Sequence, residues 1–83
     1  MSIKPTAALS ALKLIQNEVT NDFHIVGLED TAQLIVSDLN CKVLLRREVI
    51  NEELVSISSF RKGTYIAKII TEGGTVEKKV VKT

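Results

Sequence analysis

The chain has no tryptophan, one tyrosine and two phenylalanines, so its core must be built mainly from valine, isoleucine and leucine. Those residues suit the pleated, half-buried surface of a sheet. Cys41 is the sole cysteine, which excludes an internal disulfide and any cysteine-rich metal site. No run of about 18 apolar residues occurs, so no helix can cross a membrane. His24 is the only histidine, and Asp22 two positions earlier would share its face of a strand. Alternation gives that geometry to any surface pair, so the two are read as solvated residues rather than an acid–base couple.

The acidic pairs Glu29-Asp30 and Glu52-Glu53 fall in turns and lack the multi-ligand spacing of a calcium loop. Gly73-Gly74 precedes a strand pattern, not a helix, and so is no phosphate cradle. Ser58-Ser59 has no elbow glycines around it. With only three aromatics, no stacking platform for single-stranded nucleic acid is expected. Cofactors, nucleic acid and membrane insertion are therefore not expected, and neither is catalysis.

A chain of 83 residues makes one domain with one small core. At that length only about 60% of the extended surface is buried on folding. With 45% apolar and 25% charged residues, it belongs to the globular class rather than the disordered one. The net charge of +1 gives no general pull toward polyanions, but its distribution is uneven. From Phe60 onward, Arg61, Lys62, Lys68, Lys78, Lys79 and Lys82 stand against Glu72 and Glu77 alone. Lysines on a terminal strand also guard a sheet edge against aggregation.

Residues 1–8 read as a flexible lead or linker, with Pro5 blocking regular pairing, and residues 9–83 as a single domain. The opening Ala/Leu run is interrupted by Lys13, which argues against a secretory leader. Leu9 to Val19 fits a helical stripe or a short strand, and the β context selects a strand at Leu12 to Ile15. Further strands are expected at Phe23–Val26, Gln33–Asp38, Lys42–Val49 and Leu54–Ile57. The closing hairpin pairs Thr64–Thr71 with Thr75–Val81 about Glu72-Gly73-Gly74, where glycine accepts positive φ. Between the third and fourth strands, Asn40 suits positive φ and position 41 favours glycine, so a left-handed Cys41 should cost on the order of 1 kcal/mol.

Phe60-x-x-Gly63-x-Tyr65 has the spacing of a tyrosine corner, in which the phenol bonds back to the preceding loop. Six or seven short strands, turn signals every ten residues or so, and this corner together predict a small immunoglobulin-like antiparallel β-sandwich. On strand alternation its core comprises Phe23, Ile25, Leu34, Val36, Val43, Leu45, Val55 and Ile57. Phe60, Tyr65, Ala67, Ile69, Val76 and Val80 complete it from the last third of the chain.

Several ordered blocks resemble the C-terminal sorting domain of the type IX secretion system of Bacteroidetes. They are Val19-Thr20-Asn21-Asp22-Phe23-His24-Ile25, the segment Ala32 to Leu44, the Leu-x-x-Gly-x-Tyr-like block Val55 to Ile69 with Phe60, Gly63 and Tyr65, and the closing strand Glu72 to Lys82 with Gly73 and Gly74 at its turn. The likeness covers roughly residues 12 to 83. Two positions differ: Ile15-Gln16-Asn17-Glu18 stands where the family has a Tyr-Pro-Asn-Pro-like segment, and Cys41 where it has a turn glycine.

The resemblance implies a non-enzymatic signal module that passes through the periplasm to the cell surface or beyond. The outer-membrane translocation machinery would recognise it, and a sortase-like enzyme would in many cases remove it from an upstream cargo domain. Recognition is then expected on the terminal hairpin at Lys78, Lys79, Val80, Val81 and Lys82. With family members carrying cargo ahead of the module, an excised domain or a free-standing relative is expected here. The alternative is an immunoglobulin-like structural or adhesive domain that binds proteins or pairs with itself through a sheet edge.

Overall fold

The computed structural model describes residues 12–83. Within them the chain forms seven strands: β1 (Lys13–Asn17), β2 (Asp22–Val26), β3 (Ala32–Asp38), β4 (Val43–Val49), β5 (Val55–Ser56), β6 (Gly63–Thr71) and β7 (Gly74–Lys82). They make two antiparallel sheets, one in the order β1-β2-β5 and the other β4-β3-β6-β7. This is the two-layer immunoglobulin-like sandwich that the alternation and the tyrosine spacing predict. The expected lead over residues 1–8 and the domain start at Leu9 lie outside the described residues.

The inward phase of each strand is set by its apolar residues. Phe23, Ile25, Leu34, Val36, Val55, Ile57, Ala67, Ile69 and Val80 are sealed from solvent, and Tyr65 is nearly so. Full burial of one such aliphatic or aromatic side chain is worth about 1.5–3 kcal/mol. Leu45, Phe60 and Val76 are partly buried against this core, as is Leu14.

Val43 departs from its expected place and is 46% exposed. Val36 pairs with Leu45 but Ser37 pairs with Val43, so Leu44 is an extra residue with no partner on β3. A bulge of this kind reverses the phase of everything beyond it. Val43 consequently sits opposite the outward-facing Ser37.

The core also contains Leu12, Leu28, Ala32 and Val49, which are not in the expected set, although alternation already places Val49 on the face of Leu45. Ala32 and Val49 are register partners at one end of the β3–β4 ladder. Leu28 lies in a connection, where its own amide and that of Gly27 donate to Asn51 Oδ1 at 3.0 and 2.9 Å. That carboxamide satisfies the turn's backbone and allows the leucine to plug the end of the sandwich.

The connections gather at two poles. Lys13 pairs with Val26, and the β2–β3, β4–β5 and β6–β7 turns lie at that same entry pole. The β1–β2, β3–β4 and β5–β6 connections lie at the other, where Gly63 pairs with Lys82.

Candidate functional site

The β6–β7 hairpin is the longest ladder in the fold, pairing Gly63 with Lys82 through to Thr71 with Gly74. Its turn is tighter than expected, with only Glu72 and Gly73 between the paired residues. Gly74, at φ 137°, is the glycine of the turn that uses positive φ. Thr71 Oγ1 braces the reversal by accepting from the Gly73 amide and donating to the Gly74 carbonyl, both at 3.1 Å.

At the far end of β6 the tyrosine corner is formed. Tyr65 Oη donates to the carbonyl of Arg61. The ring packs against Phe60 with centroids 5.1 Å apart and planes tilted by 53°, an arrangement that aromatic pairs favour. Gly63 has φ 151°, a conformation that side-chain-bearing residues rarely adopt, and an added Cβ would meet nothing within 4 Å. The glycine is therefore required by backbone conformation and not by crowding.

Strand β7 carries the residues expected to be read by a partner, and they divide by face. Val80 is fully buried. Lys78 and Lys82 share its side of the strand and are half-buried, while Lys79 is exposed on the opposite side. Lys82 Nζ donates to the carbonyls of Phe60 at 2.9 Å and Ser58 at 3.4 Å, which ties the end of β7 to the tyrosine-corner loop. Lys68 on β6 and Glu77 on β7, register partners on the outer face, approach to 4.0 Å.

A contact not foreseen from sequence joins the two sheets. The Gln16 side chain on β1 donates through Nε2 to the Val81 carbonyl, and its Oε1 accepts from the Val81 amide at 3.1 Å. Nothing in the local sequence marks this, because a glutamine in an edge strand is an ordinary polar residue.

Both backbone groups of Val81 thus point away from β6. In an antiparallel ladder the direction repeats every second residue, so Thr75, Glu77 and Lys79 present their backbone groups along the same edge. Among the described residues no strand pairs there, because β7 ends its sheet.

The β3–β4 connection occupies the same pole as the tyrosine corner. The Cys41 amide donates to the Asp38 carbonyl at 3.1 Å, and the Asp38 amide to the Lys42 carbonyl at 3.0 Å. Asp38 Oδ1 also accepts from the amides of Asn40 and Lys42 at 2.8 and 2.9 Å. Positive φ falls on Cys41, at 67°, and not on Asn40. This is the pattern of a type I turn closed by a left-handed residue, a position that favours glycine. The Cys41 thiol is free and exposed. Among the described residues no group of three or more His, Cys, Asp or Glu side chains is arranged to hold a metal.

A family model described as the secretion system C-terminal sorting domain matches residues 16–83. The chain belongs to the type IX secretion C-terminal sorting domains. No curated protein matches it. The matched span of this sorting domain includes both ends of the Gln16–Val81 bridge, the tyrosine corner and the whole of β7. Family membership assigns it the role of a C-terminal sorting signal, with export to the cell surface or outside, contact with secretion machinery and an upstream cargo. The family is not enzymatic in general.

Proposed function

We propose that the type IX outer-membrane translocation machinery recognises this sorting domain along β7, passing it from the periplasm to the surface, where a sortase-like enzyme separates it from its cargo. The observation that carries this reading is the β7 edge from Thr75 to Lys79, unpaired among the described residues, beside the exposed Lys79 side chain. An edge of this kind offers main-chain hydrogen bonds for affinity, and side chains above and below it for specificity. Lys78, Lys79, Val81 and Lys82 are the side chains available to a partner. Val80 contributes from the core by holding the strand in place.

The test is a reporter fused ahead of residues 9–83, directed to the periplasm of a type IX-competent host. Lys79→Glu should lower surface delivery while leaving the melting temperature of the isolated domain unchanged. Equal delivery by wild type and Lys79→Glu would remove Lys79 from the recognised set. Deleting Val80 to Thr83 is a poorer experiment, because it also opens the core. A self-pairing adhesive domain would use the same edge, and would show itself as concentration-dependent sedimentation abolished by Lys79→Pro.

A further inference from the structure

A hollow opens at the pole opposite the entry of β1, between the β3–β4 turn and the tyrosine-corner loop. Its apolar lining is Leu44, Phe60 and Tyr65, and its charged lining is Asp38, Lys42 and Arg61. Phe60 is held in place by packing, ring tilted, against Tyr65, whose hydroxyl is hydrogen-bonded to the Arg61 carbonyl. Leu44 is the bulge residue, free of any β3 partner and 40% exposed. Bulges commonly serve to re-aim a side chain in this way.

The charges are unequal in availability. Oδ1 of Asp38, the only carboxylate in the lining, is committed to the amides of Asn40 and Lys42. Neither Lys42 nor Arg61 has an ion-pair partner among the described residues, in contrast to Arg47 with Glu53 and Lys68 with Glu77. Asp38 remains an anion, so the two cations leave the hollow with a single net positive charge, set beside Leu44 and the Phe60 ring, and this suits carboxylates flanking an apolar side chain.

We infer that this hollow is a docking site for an acidic segment of a partner protein, one that inserts a leucine or phenylalanine against Leu44 and Phe60 while its carboxylates meet Lys42 and Arg61. The inference rests on the hollow alone and not on recognition along β7. The site lies at the pole opposite the start of β1. A preformed apolar floor lowers the ordering cost of binding, and exposed cations speed encounter with an acidic partner.

The experiment is a titration of the isotope-labelled 83-residue chain, followed by amide resonances. The probes are a capped peptide of sequence Glu-Asp-Leu-Phe-Glu and its counterpart Lys-Lys-Leu-Phe-Lys. The acidic peptide should give saturating shifts at Lys42, Leu44, Phe60 and Arg61. Raising the salt from about 0.05 M to about 0.5 M should weaken its binding. The double variant Lys42→Glu with Arg61→Glu should weaken it by about tenfold or more.

Both substitutions are at exposed positions, and an unchanged melting temperature confirms that the variant is folded. The inference fails if the basic peptide binds equally well, if the double variant binds as wild type, or if no shift occurs at millimolar peptide. It also fails if these resonances move with protein concentration alone, which would make a second copy the occupant. A reporter still exported by the double variant would leave the β7 reading intact while confining the hollow to another partner.

Discussion

Gln16 and Val81, 65 positions apart in the chain, are joined by two hydrogen bonds in which one carboxamide serves as the partner strand for one residue's backbone. The pair connects the edge of the smaller sheet to the edge of the larger one. It also covers the last outward-facing backbone groups of a strand whose edge pairs with no other strand among the described residues.

Replacing Gln16 by alanine should therefore loosen the end of β7 first. A net loss of about 1 kcal/mol is expected from the missing bonds, and for a domain of this size that lowers the melting temperature by about 4–8 °C. Hydrogen exchange localises the effect. The Val81 amide should lose protection while amides in the middle of the β3–β6 ladder keep theirs, and uniform loss across the sheet would show that the bridge has no local role.

Tyr65→Phe keeps the ring contact with Phe60 and removes only the hydroxyl that bonds to Arg61. The Arg61 carbonyl then loses its partner, at a cost of about 1–2 kcal/mol. Tyr65→Ala also leaves a cavity and should cost about 3–5 kcal/mol. Chemical denaturation of the two variants separates the hydrogen bond from the packing. A Tyr65→Phe variant as stable as wild type would mean the hydroxyl contributes nothing, and equal losses in the two variants would mean the ring packing adds nothing.

Cys41 occupies a left-handed conformation that costs a side-chain-bearing residue about 1 kcal/mol relative to glycine. Cys41→Gly should raise the melting temperature, although greater freedom of glycine in the unfolded chain offsets part of the gain. Cys41→Val should lower it, because β-branching is least tolerant of positive φ. The order glycine, cysteine, valine in a thermal melt is the expected result.

Gly63 combines φ 151° with open space around the missing Cβ. Gly63→Ala and Gly63→Ser should both destabilise the domain by about 1–3 kcal/mol, the cost of a strained backbone. The two losses should be nearly equal, since there is nothing for the larger side chain to strike. A markedly worse serine would reveal a neighbour that the geometry does not contain.

Much of the sandwich is readable from alternation and turn chemistry. The β6–β7 hairpin follows from two β-branched runs around Glu72-Gly73-Gly74, and the tyrosine corner from Phe60, Gly63 and Tyr65. Val43 is misplaced by alternation because a bulge is decided between strands, where Leu45 and Val43 meet consecutive residues of β3. Leu28 looks like part of a polar turn because the group that closes that turn, Asn51, is remote in sequence.

The same limit applies at the candidate site. The lysines of β7 are evident as a cluster, but the burial of Val80 and the anchoring of Lys82 on Ser58 and Phe60 depend on what the β5–β6 loop brings beside them. Gln16 carries no local signal at all.

The placement of β1 and β7 has a mechanical consequence. Lys13 lies at one pole and Lys82 at the other, and the two strands run in the same direction on facing edges. Tension applied between these points acts along the strands, so the β6–β7 ladder and the Gln16–Val81 bridge are loaded in shear and must yield together rather than peel open bond by bond. Forced unfolding depends on the height of the unfolding barrier, and a domain pulled in this geometry should hold its fold against traction far better than its small core would suggest.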